Sequence, residues 1–224
     1  MTGNWDSVLR FEENKNGRDF VCGDIHGCFD EVEAELKRLE FNKSLDRFFC
    51  VGDLIDRGPK SELSIQYMKQ DWFFTVLGNH EHMFLLGYMD SPDQYRYIEN
   101  HIRNGGAWAY ELPKEKVIAL CDAFDKLPLI IQVGNTLITH AALPAVASLE
   151  AIEKDPFEYL DTVLWHREDY PPLIMPGINR VFVGHNIVDK PMRHGKIINL
   201  DTGAFLRYWR RDGNLTIIEL KDEK

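Results

Sequence analysis

Short apolar runs, each stopped by a small or polar residue, recur along the chain: Phe20-Val21-Cys22, Arg47 to Val51, Trp72 to Leu77, Leu129 to Val133, Thr136 to Thr139 and Arg180 to Val183. Runs this short, bounded by turn-forming residues, predict buried strands rather than helices. Between the first of them the spacing changes. Phe29, Val32, Leu36 and Leu39 fall three or four apart, with Asp30, Glu31 and Glu33 at the start and Lys37-Arg38 at the end. That is an amphipathic helix with its charges ordered as the helix dipole favours. A second helix is expected with Ser61 as its cap, carrying Leu63, Ile65 and Met68. The order strand, helix, strand, helix, strand up to Leu77 implies βαβ units and parallel pairing.

Ser91 to Phe124 reads as mostly helical, broken at Gly105-Gly106, and strands and turns dominate beyond residue 127. Lys196 to Leu200, Phe205 to Arg210 and Leu215 to Leu220 are predicted strands, with Asp212-Gly213 as a hairpin turn. Leu127 to Leu149 is a 23-residue stretch without Lys, Arg, Asp or Glu. Pro128, Gln132, Gly134-Asn135 and Pro144 interrupt it, so it reads as a buried β-hairpin and not a membrane span. There is no repeat, low-complexity tract or linker. A single domain over 1–224 follows, of α/β (α+β) class, with sheet packed on sheet and helices outside.

Composition narrows the function. With 26 Lys+Arg against 36 Asp+Glu, the 224 residues carry a formal charge of −10, which disfavours nucleic-acid clamps and membrane-surface binding. A 44% apolar content supplies a core and argues against disorder. Four irregularly spaced cysteines do not make a disulfide framework, and Met1 to Asp6 has neither a basic start nor an apolar run, so a reducing cytoplasm is the expected compartment.

The polar residues at the strand ends carry the chemistry. The first strand ends in Gly23-Asp24-Ile25-His26-Gly27, the second in Gly52-Asp53-Leu54-Ile55-Asp56-Arg57-Gly58, the third in Gly78-Asn79-His80-Glu81; His140 and His185 follow two later strands. The carboxyl ends of parallel strands form one crevice, and the glycines let the backbone turn there. A lone Asp at a strand end is ordinarily a turn residue, and a lone His a surface or core residue. Three such strand ends with two strand-end histidines instead make a ligand set. Asp24, His26, Asp53, Asn79, His140 and His185 offer carboxylates, an amide oxygen and imidazoles, a mixture suited to Mn²⁺, Fe²⁺ or Zn²⁺ rather than Ca²⁺. Six ligands exceed what one open catalytic ion needs, and a carboxylate bridging two ions would use them all. Cys22 and Cys28 are read as structural, and His82, His101 and His194 as solvated or supporting.

Gly-Asp-Ile-His-Gly, Gly-Asp-Leu-Ile-Asp-Arg-Gly-Pro and Gly-Asn-His-Glu, in this order, resemble the signature of the phosphoprotein phosphatase family of metallophosphoesterases. Asn104-Gly105-Gly106-Ala107-Trp108, His140-Ala141, Trp165-His166-Arg167, Gly184-His185 and Asp201-Thr202-Gly203-Ala204 extend the likeness to the bacterial and phage-lambda-type serine/threonine protein phosphatases. The resemblance, from about residue 18 onward, implies a calcineurin-like fold, a central β-sandwich of mixed sheets flanked by helices with two divalent metal ions between them. Asp24 and His26 would bind the first ion, Asp53 would bridge, and Asn79, His140 and His185 would complete the second. His80 would be the general acid, held by Asp56, and Arg57, Arg167 and Asn79 would grip the phosphate. Mn²⁺ is the expected ion in vitro, with iron and zinc or manganese as native pairs. The expected reaction is direct attack on phosphoserine or phosphothreonine, and possible phosphotyrosine, by a hydroxide generated at the two-metal centre. Expected partners are phosphoproteins or phosphopeptides, with no nucleic acid or membrane, and the protein is expected to be a monomer.

The sequence departs from this pattern at Ala142, where close relatives often have Asp, at Asn186, where Thr is usual, and at His166, expected mainly in solvent; none is a ligand position. Symmetrical diadenosine tetraphosphatases share the fold and metal site, but typically carry Ala at the position of Asp56 and Gly-Asn-His-Asp in place of Gly-Asn-His-Glu. Nucleases and phosphodiesterases of the wider superfamily commonly show Gly-His-x-His where this chain reads Gly184-His185-Asn186-Ile187. A catalytically inactive phosphate-binding scaffold would have lost a ligand, His80 or a phosphate-binding arginine, and all are present.

Overall fold

Alternation along the strands decides how the layers stack. The computed structural model describes residues 5–89, 93–145, 148–167, 170, 172–209 and 212–221. Along it run β1 (Val8–Phe11), β2 (Asp19–Cys22), α1 (Phe29–Arg38), β3 (Arg47–Cys50), α2 (Ser64–Met68), β4 (Phe73–Thr75), α3 (Asn79–Tyr88), α4 (Gln94–Arg103) and α5 (Lys114–Phe124). There follow β5 (Ile130–Val133), β6 (Thr136–Thr139), α6 (Leu149–Lys154), α7 (Pro156–Trp165), β7 (Arg180–Val183), β8 (Met192–His194), β9 (Ile197–Asn199) and β10 (Ile217–Glu219). One sheet has the order β10-β2-β3-β4, the other β1-β5-β6-β7-β9-β8. β2, β3 and β4 pair in parallel, as the early βαβ pattern requires, and β10 closes that sheet antiparallel to β2. β5 and β6 form the antiparallel hairpin around Gly134-Asn135.

Val21 and Phe49 point between the sheets, where they meet Ile131, Val133, Ile138 and Phe182. Their neighbours Phe20, Cys22, Phe48 and Cys50 point the other way, into the cluster that includes Phe29, Val32 and Leu36 of α1 and Phe84 of α3. Each Phe or Ile so buried contributes about 1.5–3 kcal/mol, so the two-sided strands stabilise both layers. The result is the predicted central sandwich of mixed sheets with helices outside. Among the described residues no helix is long and apolar enough to cross a membrane.

Three local expectations are corrected. Phe205 to Arg210 is not a strand: Ala204–Tyr208 forms a 3-10 turn, Gly203 enters it with φ 68°, and Leu206 and Trp209 N–H donate to the carbonyls of Gly203 and Leu206. The predicted hairpin at Asp212-Gly213 is lost with it, and residues 210–211 lie outside the described ones. Ser61 does not cap a helix. It begins a 3-10 turn, Ser61–Leu63, before α2, and its hydroxyl accepts the Asp56 backbone N–H at 2.8 Å. The other strands were legible, but β1 and β8 lacked a bounded apolar run; β8, Met192-Arg193-His194, is exposed throughout.

Candidate metal centre

β2, β3 and β4 end side by side, so the loops after them deliver Asp24, His26, Asp53, Asp56, Asn79 and His80 to one buried place. His140 and His185 arrive from the ends of β6 and β7 in the other sheet, and all eight residues are at most 5% exposed. The backbone is held out of its ordinary range to do this. Of the six non-glycine residues with positive φ among those described, His26, Asp53, Asp56, Arg57 and His185 belong to this cluster. Left-handed conformations of this kind cost on the order of 1–3 kcal/mol each and persist where surrounding structure enforces them.

Glu81 supplies much of that enforcement. Its fully buried carboxylate accepts the backbone N–H groups of Asp53 (2.9 Å), Leu54 (2.8 Å), Ile55 (3.2 Å) and Gly78 (3.1 Å), fixing the loop after β3 to the start of α3. Burial, with Asp53 and Asp56 nearby, raises its carboxyl to about 8 despite those donors.

The donors face one another in a way that calls for cations. His26 Nδ1 donates to the Ile55 carbonyl (2.8 Å) and His140 Nδ1 to the Val51 carbonyl (2.9 Å), so each Nε2 turns a lone pair inward. The His140 lone pair meets Asn79 Oδ1 at 2.8 Å and Asp53 Oδ1 at 3.5 Å, all acceptors, and His185 Nδ1 lies 2.9 Å from the same Asn79 oxygen. His26 Nε2 is 3.6 Å from Asp53 Oδ2 and accepts a bond from Arg57 Nη1 at 2.8 Å. Ligand atoms of His26, Asp53 and His80 lie within 4.8 Å of one another, as do those of Asp53, His140 and His185, so Asp53 is common to both groups. Acceptors packed against acceptors in a dry site fit divalent metal ions.

Charge tells the same story. Burial, then Asp201 and Asp53, drives the Asp24 carboxyl well up, whereas Asp53 is pulled down, its burial outweighed by His140, His80 and His26. Burial lowers His26, His140 and, to about 3, His185, favouring the neutral imidazoles that metals bind. Asp24 stands slightly apart, its oxygens 3.1 and 3.3 Å from the His185 backbone N–H. Behind it lies Asp201, buried, with Oδ2 unpartnered among the described residues and its carboxyl raised to about 6 by burial. The Asp-Thr-Gly-Ala motif belongs to the family resemblance, but nothing in the sequence places Asp201 in this cluster.

His80 Nδ1 donates to Asp56 Oδ2 at 2.6 Å, and its Nε2, buried and without a hydrogen-bond partner among the described residues, looks toward Asp53 Oδ2 at 3.9 Å. The Arg57 guanidinium lies over the Phe205 ring at 4.8 Å, which explains why the segment after Asp201 turns inward rather than pairing as a strand. Arg167 is exposed, close enough to lower His140 and His185 electrostatically. His101, expected to be solvated or supporting, is fully buried on Asp56; His194 is exposed. His166 is half-buried rather than in open solvent: its Nε2 is buried, and its carbonyl accepts from Asn186 Nδ2 at 3.2 Å, joining two of the departures from the family pattern. Cys22 and Cys28 are buried free thiols, Cys28 pushed up to about 12 by burial.

Residues 20–218 match the family described as calcineurin-like phosphoesterases. The chain belongs to that family. Among its relatives, serine/threonine-protein phosphatase 2 of Salmonella typhimurium is 29% identical over 90% of this chain and 92% of its own length, and serine/threonine-protein phosphatase 1 of the same organism 32% identical over 96% and 98%. A symmetrical bis(5'-nucleosyl)-tetraphosphatase of Neisseria meningitidis is 32% identical over 55% of this chain and 43% of its own. A solved structure proposed to be a diadenosine tetraphosphatase superposes with TM-score 0.67 at 22% identity, covering 96% of this chain and 98% of that one. This calcineurin-like metallophosphoesterase is therefore a phosphoesterase-class hydrolase with a His/Asp metal-binding cluster.

Proposed function

We propose that this calcineurin-like phosphoesterase hydrolyses phosphoserine and phosphothreonine in proteins, with His80 as general acid. The observation that carries the choice is the 2.6 Å contact between His80 Nδ1 and Asp56. It leaves Nε2 facing the cluster, where a leaving oxygen needs a proton. A seryl alkoxide leaves poorly, and acid help of this kind is worth about 10²–10⁴-fold. The relatives named protein phosphatases along nearly their whole lengths support the same reading.

Asp24, His26 and Asp53 would hold one divalent cation, and Asp53, Asn79, His140 and His185 the other. Two such ions, Mn²⁺ in vitro or iron with zinc or manganese, would supply Lewis acidity and promote ionisation of water near neutral pH. The chain's own residues do the rest. Asp53 sits between the two histidine groups and fixes their separation. Arg57 and Arg167, with the Asn79 amide, grip the equatorial phosphate oxygens through charge-assisted hydrogen bonds. The substrate is a phosphoprotein or phosphopeptide met by a cytoplasmic monomer; a net charge of −10 disfavours long polyanions.

Symmetrical dinucleoside tetraphosphate hydrolysis is the second reading. It draws on the Neisseria relative and on a groove of about 460 Å³ beside Arg57, walled by Arg103, Phe205, Leu206 and the exposed Trp209, where a base could stack. The presence of Asp56 weighs against it. The test is Asp53→Asn together with chelation: p-nitrophenyl phosphate turnover should vanish in the variant, and should vanish in the wild type with EDTA and return with Mn²⁺. Full activity in either condition would overturn the assignment.

A further inference from the structure

Asp56 has more partners than orienting His80 requires. Its Oδ2 receives His80 Nδ1 at 2.6 Å, and its Oδ1 receives the Trp108 indole N–H at 2.7 Å. His101 Nε2 sits between the oxygens, 3.0 Å from Oδ1 and 2.9 Å from Oδ2. Both Asp56 and His101 are fully buried. A carboxylate only accepts, so His101 must present Nε2–H here, and its Nδ1 is left without a partner among the described residues.

The surroundings of His101 are built around that ring. It is the buried residue of α4, and it is held edge-on by Phe84 (5.6 Å, 85°) and Tyr88 (5.8 Å, 87°) of α3, the helix that begins with Asn79 and His80. A Cβ on Gly106 would lie 2.3 Å from His101 Cε1 and Nε2, so only glycine leaves room for the imidazole. Gly105 takes φ 104° and its carbonyl accepts the Arg57 backbone N–H at 3.4 Å. The Asn-Gly-Gly-Ala-Trp segment thus closes over Asp56 with an indole donor from one side and room for an imidazole donor on the other.

We propose that His101, assisted by Trp108, is a positioning residue for the acid: it pins the Asp56 carboxylate so that one oxygen is always presented to His80 Nδ1–H and Nε2 stays aimed at the leaving oxygen. Without it, Asp56 could rotate or draw the proton from His80, and the acid would spend part of its time in the wrong tautomer or direction. The electrostatics agree with this geometry. Burial alone would raise the Asp56 carboxyl, and the bonds from His101 and His80 hold it instead at about 2, so Asp56 is a weak base toward the proton it orients. The inference rests on the acid role of His80 proposed above, and the test separates the two.

The experiment compares wild type, His80→Asn, His101→Leu, His101→Gln, Trp108→Phe and the double variant His80→Asn/His101→Leu, each loaded with Mn²⁺, on a phosphoserine peptide and on p-nitrophenyl phosphate. His101→Leu should lower kcat on the phosphoserine peptide about 10-fold or more, with KM little changed and a smaller loss on the aryl ester, whose phenolate needs no proton. Glutamine can return an N–H to Asp56, so His101→Gln should recover most of the rate, and Trp108→Phe should show a weaker form of the same pattern. In the His80→Asn background the His101→Leu change should cost nothing further, as expected of residues acting through one another. A second readout needs no turnover: in metal-free protein, the His80 Nδ1–H proton resonance should broaden or vanish in His101→Leu and reappear in His101→Gln. Equal losses on both substrates for His101→Leu, undiminished in the His80→Asn background, would make His101 merely structural and overturn the proposal while leaving the acid role intact. Equal losses on both substrates for His80→Asn itself would remove the acid role, and this inference with it. Should His101→Leu fail to fold, Trp108→Phe decides: unaltered substrate dependence and an unaltered His80 resonance would overturn the proposal.

Discussion

Glu81 accepts four backbone N–H groups inside the protein. Replacing it with alanine leaves those donors buried and unpaired, each at about 1–3 kcal/mol. Glu81→Ala should therefore lower the unfolding free energy by about 3 kcal/mol or more, read from urea denaturation, and a midpoint equal to wild type would show that the loop does not depend on it. At this scale the sequence was readable where chemistry and spacing coincide. Asp24, His26, Asp53, Asn79, His140 and His185 each lie just beyond an apolar strand, so their place at strand ends is legible, but that the last two come from the opposite sheet is decided only by how the two sheets stack. Asp201 and His101 could not be placed: one follows a strand whose partner was unknown, and the other is an ordinary residue of an amphipathic helix whose burial only packing decides. Glu81 distinguishes Gly-Asn-His-Glu from Gly-Asn-His-Asp in the sequence, but its bonds to the backbone of the neighbouring loop are long-range contacts that no local pattern encodes.

Between elements, Asp46 joins the turn before β2 to the turn before β3. Its oxygens accept the Arg18 backbone N–H (2.8 Å), the Asn42 backbone N–H (2.9 Å) and the Arg18 guanidinium (2.6 Å). Burial would raise this carboxyl, but the bonds from Arg18 and Asn42 outweigh it and the value falls. A carboxyl depressed in the folded state stabilises fully above its unfolded value of about 3.9 and loses that contribution as pH drops through the folded value. Asp46→Asn should thus destabilise the fold by about 1–3 kcal/mol at pH 7, and the gap from wild type should shrink below about pH 4. Thermal melts across that range check it; a gap independent of pH would contradict the charge-based account. Elements with their own hydrophobic period were legible: α1, the parallel β2, β3 and β4, and the β5–β6 hairpin. The 3-10 turn at Ala204–Tyr208 was not, because Phe205-Leu206 reads as apolar and extended until the Arg57 and His26 side chains are there to receive Phe205, whose ring lies 5.0 Å from that of His26.

Across the whole molecule the formal charge of −10 hides a division of labour. Among the described residues Asp24, Asp53 and Asp201 crowd one buried site, where negative charge would disfavour a phosphate without bound cations. On the proposed function, two dications together with Arg57 and Arg167 would make the same site locally cationic, so an acidic protein would capture one phosphoryl group at short range while its surface disfavours a polyanion. Both substrate readings would use the one His/Asp cluster that the sandwich brings together, and would part at Asp56 and the groove beside Arg57. The most direct test compares kcat/KM for phosphoserine and phosphothreonine peptides with that for diadenosine tetraphosphate on the same Mn²⁺-loaded protein. On the proposed acid role, in which His80 would supply the proton their alkoxide needs, phosphopeptides should be favoured by at least about tenfold. A preference for diadenosine tetraphosphate, with phosphopeptides untouched, would contradict the account.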